Sequence, residues 1–187
     1  MRRRVPAAAV LLAAVTAGLA ACHGAARPAS DDTALLLDAA DWGDRALPPG
    51  PVSVETTSYK DLLTKAPMVT RRWTTPNGSD RGYELQQDVQ GRTDEDSAHD
   101  AFRKADPGPN YRDDLGGADP ISTAPAGHAD EALGYCVPDP TGCFMISYTL
   151  RYGTYIVELS LTSEGATPSS AQPLLAILDE VMSRRVR

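Results

Sequence analysis

The stretch from Cys143 to Thr162, CFMISYTLRYGTYIVELSLT, constrains the fold more than any other part of this chain. Phe144, Ile146, Tyr148 and Leu150 recur at every second position on one side of Tyr152-Gly153. Tyr155, Val157, Leu159 and Leu161 do the same on the other side. With a two-residue loop at Tyr152-Gly153, the pairs 150/155, 148/157, 146/159 and 144/161 fall opposite one another. All eight side chains then share one face, as a half-buried antiparallel hairpin requires. A slip of one residue would turn one arm's apolar set to solvent, so the register is well specified.

The start of the chain gives an address. Arg2, Arg3 and Arg4 precede an apolar run from Val5 to Ala20, interrupted by Pro6, Thr16 and Gly18. A membrane span needs about 20 strongly apolar residues; this run is shorter and rich in alanine, and reads as the core of a secretory signal peptide. It ends in Leu19-Ala20-Ala21-Cys22, which resembles a bacterial lipobox. That resemblance implies a diacylglyceryl group on the Cys22 thiol, cleavage after Ala21, and Cys22 as the new N-terminus. A thiolate is the side chain there nucleophilic enough to be alkylated by a lipid donor. Two acyl chains give stable membrane anchoring at about 0.8 kcal/mol per buried methylene. The expected organisation is a signal peptide over 1–21, a tether over 22–33 and one domain over 34–187.

Cleavage removes three arginines and no acid, leaving 15 basic against 25 acidic residues, a net charge of −10 over 166 residues. That balance argues against nucleic acid as a partner and against electrostatic adhesion to anionic lipid. With Cys22 acylated, Cys136 and Cys143 are the remaining thiols of an exported chain. The turn-forming Val-Pro-Asp-Pro-Thr-Gly lies between them, so a disulfide is expected to close this loop at the mouth of the hairpin. A metal site is the alternative, but Cys-x6-Cys has no neighbouring histidine or third cysteine to complete it.

Taken in order, Ala34 to Trp42 is the first apolar segment after the tether, with Leu35, Leu36 and Leu37 expected to dock on the core. Ser58-Tyr-Lys-Asp61 has capping-box spacing and predicts a short helix ending before Pro67. Val69 to Thr75 and Gly82 to Gln90 read as strands joined by Pro76-Asn77-Gly78, with Gln87 breaking the apolar alternation of the second. Thr93 to Asp96 opens a helix whose apolar stripe is Ala98, Ala101, Phe102 and Ala105. Asn110 to Ala126 is polar and reads as a long surface connection. Ser170 is expected to cap a last helix buried through Leu174, Ile177, Leu178 and Val181, with Arg184 and Arg185 at its C-terminal end. These elements predict an α+β fold: a curved antiparallel sheet with helices packed on one face.

Chemistry is sparse. His23 lies in the tether, His99 on the solvent side of the alanine-rich helix, and His128 in a loop two residues before Asp130. A Ser-His-Asp site built on His128 and Asp130 has neither a nucleophile elbow nor an oxyanion glycine motif beside it. Asp94, Glu95, Asp96 and Asp100 suit a helix dipole better than a calcium loop, which needs alternating ligands and a central glycine. Asp113 and Asp114 read as solvated loop residues. Arg71, Arg72 and Trp73 fit either a recognition patch or an ordinary strand with an outward arginine row. Phosphate-loop and cofactor fingerprints are lacking, so the expectation is a protein without catalytic site, metal or cofactor.

Leu36-Leu-Asp-Ala-Ala-Asp41, Ala129-Asp-Glu-Ala132 and Arg151-Tyr-Gly-Thr-Tyr-Ile-Val157 together carry a resemblance. The chain resembles actinobacterial surface lipoproteins related to the extracellular sensor domains of membrane serine/threonine kinases. Thr154 stands where the family pattern has asparagine, and His128 and Ala129 separate Gly127 from Asp130. The resemblance implies an α+β domain with a cleft between sheet and helices, and binding rather than catalysis. The leading expectation is a non-catalytic binding or sensor-like module, anchored on the outer face of the membrane, for an envelope ligand or protein. The alternatives are a lipid or glycolipid carrier with a large apolar cavity, and an envelope hydrolase with His128 and acids converging in a polar cleft.

Overall fold

The computed structural model describes residues 32–43, 52–60, 66–75, 82–105 and 117–186. A 3-10 turn (Asp32–Leu35) and a one-turn helix α1 (Ala39–Trp42) come first. They are followed by strands β1 (Ser53–Lys60), β2 (Pro67–Thr74) and β3 (Glu84–Gly91), then helix α2 (Glu95–Ala105). Four strands follow: β4 (Asp119–Pro120), β5 (Glu131–Asp139), β6 (Gly142–Tyr152) and β7 (Tyr155–Ala166), and helix α3 (Pro168–Arg185) closes the series. The seven strands form one open antiparallel sheet in the order β1-β2-β3-β7-β6-β5-β4. The fold is α+β.

The β6–β7 hairpin sits at the centre, and its apolar face is buried as expected, but its register differs. Ile146 faces Leu161, Tyr148 faces Leu159, Leu150 faces Val157 and Tyr152 faces Tyr155. The loop is therefore Gly153-Thr154, one step further along, with Gly153 taking the left-handed conformation (φ 55°) that glycine adopts without steric cost. A shift of two partners leaves every side chain on its face, which is why alternation alone does not distinguish the two pairings. Phe144 is the exception among the eight. The register slips between Cys143 and Met145, and Phe144 is 50% exposed. An irregularity of this kind bends the strand and redirects the side chain.

On the hairpin's apolar face lie α3, the 3-10 turn and α1. Leu174, Leu175, Leu178, Val181 and Met182 of α3 pack into one cluster with Ile146, Tyr148, Leu150, Val157 and Leu159. Each fully buried leucine contributes roughly 2 kcal/mol. Thr167 is the N-cap of α3 and Ser170 closes the reciprocal half of a capping box, so the cap stands three residues before the one expected. Leu35, Leu36 and Leu37 dock on this core as anticipated, and Trp42 meets Trp73 edge to face at 5.5 Å.

Gln87, the residue that interrupts the alternation of β3, is fully buried here. Its Oε1 accepts from the Leu37 amide at 2.7 Å and its Nε2 donates to the Leu35 carbonyl at 3.2 Å. Arg71 Nη1 and Arg185 Nη1 donate to the Leu37 and Leu36 carbonyls, at 2.7 and 3.0 Å, and Arg185 Nη2 pairs with Asp41 at 2.7 Å. The N-terminal segment is thus clamped through its backbone.

Two assignments are overturned. Residues 58–60 belong to β1, paired along its whole length with β2, so Ser58 does not cap a helix there; 61–65 lie outside the described residues. Val54, Thr56, Thr57 and Tyr59 favour a strand, and a capping box stabilises a helix only where the backbone has not found a ladder partner. The connection assigned to 110–126 contains β4, which pairs with β5 through Asp119 and Cys136. Strand β5 itself escaped notice because Gly134 and Pro138 break its pattern. Gly134 stands opposite Tyr148, where an added Cβ would lie 2.9 Å from the Tyr148 ring; the glycine makes room for the aromatic.

Candidate functional site

The sheet has a second face, and helix α2 crosses it. Ala98 and Phe102 pack on Ile156, with Ala101 and Leu133 beside them, so three residues of the predicted stripe form the docking face while Ala105 is exposed. Asp94 caps the helix, its Oδ1 accepting from the Ser97 amide at 2.6 Å. His99 Nδ1 meets Glu131 Oε2 at 2.9 Å, and Arg151 also pairs with Glu131, tying α2 to β5 and β6. Burial works to raise the Glu131 pKa, but the hydrogen bonds and charges of His99 and Arg151 outweigh it and hold the group low.

Strand pairing lines up a polar row across this face. Thr57 of β1, Thr70 of β2, Asp88 of β3, Glu158 of β7 and Thr149 of β6 follow one another from strand to strand. Thr70, Asp88 and Thr149 are each more than nine-tenths buried. Polar groups are costly to bury without partners, and most of these have them. Asp88 accepts from the Thr70 hydroxyl and from Gln86 Nε2 at 2.7 Å. Glu158 Oε1 accepts from Ser147 Oγ at 2.9 Å and Ser160 Oγ at 3.4 Å.

Between this row and α2 opens a groove of about 790 Å³. Asp88, Glu158 and Thr149 line it from the sheet, Asp96, Ser97 and Asp100 from the helix. Gln90, Arg92 and Lys104 add further polar groups, and Met68, Ile156 and Ala101 supply apolar wall. Two smaller hollows, about 250 and 310 Å³, lie around Tyr83, Ser163 and Glu164 at another part of the sheet.

Burial raises the pKa of Asp88, while the Thr70 and Gln86 hydrogen bonds and the Arg72 charge pull against it. Burial likewise raises Glu158, and the facing Asp88 carboxylate raises it further, against the Ser147 and Ser160 hydroxyls. Among the described residues no group of three or more His, Cys, Asp and Glu is placed to hold a metal ion. What the arrangement offers is a buried and a half-buried acceptor, Asp88 and Glu158, that gain from a positive charge or from hydrogen-bond donors.

The residues singled out from the sequence fare unevenly. Cys136 and Cys143 form the disulfide, with Cα atoms 5.5 Å apart, bridging β5 and β6. Cys22, His23, Asp113 and Asp114 lie outside the described residues. His128 and Asp130 do not converge. The His128 amide donates to Asp179 at 3.0 Å and its ring faces Glu180 at 3.4 Å, whereas Asp130 accepts from the Gly153 amide and pairs with Arg151. Asp179 is itself buried, also accepting from Ala129 N and from Tyr152 OH at 2.8 Å. Arg71 turns toward the core side and clamps Leu37, Arg72 faces Gln86 and Glu84, and Trp73 is buried. The three therefore form no common patch. Asp94 serves as a cap, while Asp96 and Asp100 line the groove.

Asp88, Glu158 and Thr149 were not among the candidates. Their one sequence signal is a carboxylate in mid-strand on the face opposite an apolar row, which reads as solvent exposure unless a helix is known to cover it. No family model, curated protein or solved structure matches the chain.

Proposed function

We propose that this chain is a lipid-anchored protein of the cell envelope whose α+β domain binds a small polar ligand in the α2 groove without transforming it. The observation that carries the reading is the floor of that groove: the buried Asp88 and Thr149 and the half-buried Glu158 lie on the face that α2 crosses, where an apolar contact would stabilise the fold better. The lipobox ending in Cys22 supports the anchor on the outer face of the membrane, and the likeness to surface sensor lipoproteins points to recognition in place of catalysis. A carrier of lipid tails fits less well, because α3, Leu35 to Leu37 and the Trp42–Trp73 pair pack against the apolar face and the groove is lined by acids. A hydrolase built on His128 fits less well because His128 faces Glu180, away from the groove residues.

Native mass spectrometry tests this on the Cys22→Ala chain produced in a related host. The expected result is a small adduct lost on denaturation and missing from an Ala101→Trp variant, in which the indole fills the groove. A bare mass from the parent chain, with no thermal shift from any small polar compound offered to it, counts against a ligand site there.

A further inference from the structure

Resting on the reading of the α2 groove as a ligand site, we infer that its occupant is a small hydroxylated ammonium compound, whose charged nitrogen sits at Asp88 and Glu158. These two carboxyls stand directly opposite each other on neighbouring strands. Like charges so placed repel, and here the repulsion acts in a half-dry setting. An ammonium group between them removes the repulsion and supplies N–H donors to acceptors that already take only hydroxyl and amide hydrogens. The groove lining has the matching sign: Asp88, Asp96, Asp100 and Glu158 outnumber Arg92 and Lys104, even with Arg72 of β2 acting on Asp88 from outside it. An anionic ligand would meet a net negative wall.

The remaining features describe the rest of the molecule. Thr149 is 8% exposed as a residue and lines the groove, so its hydroxyl can donate to a ligand oxygen or accept from a ligand hydroxyl. Ser97 adds a further hydroxyl. Met68, Ile156 and Ala101 offer apolar surface to a carbon skeleton, and the volume lies within the roughly 300–1,000 Å³ usual for small-molecule sites. Charge, hydroxyls and a compact carbon frame together describe an amino sugar. An ethanolamine headgroup of a membrane lipid shares the ammonium and is the other source of the same chemistry.

The test uses the full Cys22→Ala chain, titrated with glucosamine and with N-acetylglucosamine, which keeps the ring and loses the charge. Amide chemical shifts at Asp88, Thr149 and Glu158 report occupancy. Glucosamine is expected to bind at least about tenfold more tightly, a gap that narrows with salt. Because burial raises both carboxyls, uptake of the ammonium at mildly acidic pH is expected to release protons, visible as a titration heat that varies with the buffer's ionisation enthalpy. Glu158→Gln and Asp88→Asn should each abolish the discrimination while remaining folded, since each removes half of a repelling pair. Thr149→Val should weaken both sugars. Vesicles of phosphatidylethanolamine, set against phosphatidylcholine, form the second arm: retention on the former alone, competed by glucosamine and lost in Glu158→Gln, would support the inference with the headgroup as source. Equal affinity for the two sugars would overturn the ammonium assignment and leave the groove a ligand site. Silence from both sugars and both vesicles also overturns it, and the groove reading falls too only if the native mass is bare.

Discussion

Asp88 and Glu158 are the residues at which this fold departs from its own economy. Ordinary carboxylates ionise near 3.8 and 4.5; both of these are raised by burial, so their protonated forms suit the folded state better than the unfolded one. A raised folded-state pKa contributes stability that is complete below the unfolded value and lost as pH rises through the folded one. At neutral pH the pair is therefore a liability. Glu158→Gln is expected to raise the melting temperature by about 2–4 °C near pH 7, taking about 1 kcal/mol for relief of the facing charge. The gain should shrink as pH falls toward the ordinary carboxylate range, where the upward shift leaves wild-type Glu158 more protonated than a free glutamate. Circular-dichroism melts of both proteins at the two pH values check this, and a gain of equal size at both would show that charge is not the cause. Gln87 offers the contrast. More deeply buried than either, it uses both ends of its amide to hold Leu35 and Leu37, so its polarity serves the fold.

Among the elements, the β5–β6 hairpin depends on a covalent link. Cys136 and Cys143 are seven residues apart, and closing a loop that short stabilises by about 2–3 kcal/mol through the unfolded chain. A Cys136→Ala/Cys143→Ala double variant should lose about that much in denaturant titration with an unchanged slope; a loss below about 0.5 kcal/mol would mean that the loop is ordered without the bond. That pairing was readable because the two thiols flank a turn sequence. The β6–β7 hairpin was readable from its alternation, down to which face is buried. Its register was not, since a period of two is blind to a shift of two. The capping box at Ser58 misled because a local hydrogen-bond pattern says nothing about a waiting strand, and β2 supplies one to β1. Strand β5 hid behind Gly134, whose missing side chain makes sense only with Tyr148 in view. The site stayed illegible for the same reason. The alanine stripe of α2 announces a docking helix, yet nothing local tells that its berth is Ile156, on the face bearing Asp88 and Glu158. Where a helix lands is a long-range fact.

For the whole molecule, the proposed anchor predicts that Cys22→Ala abolishes metabolic labelling with a fatty acid and moves the protein from the membrane fraction to the medium; a variant that stays labelled would falsify the lipobox assignment. The order of strands in the sheet carries a different consequence, one of timing. β1, β2 and β3 are made early, but the strand that joins them to the centre is β7: Gly91 meets Tyr155 and Glu84 meets Thr162. The helix that covers the apolar face, α3, comes later still. Pairings that distant in sequence form slowly, since the loop must close before the contacts reward it. A ribosome or pore that still holds β7 and α3 therefore holds an open, unfinished sheet, and this chain commits to its fold only when those two elements are free.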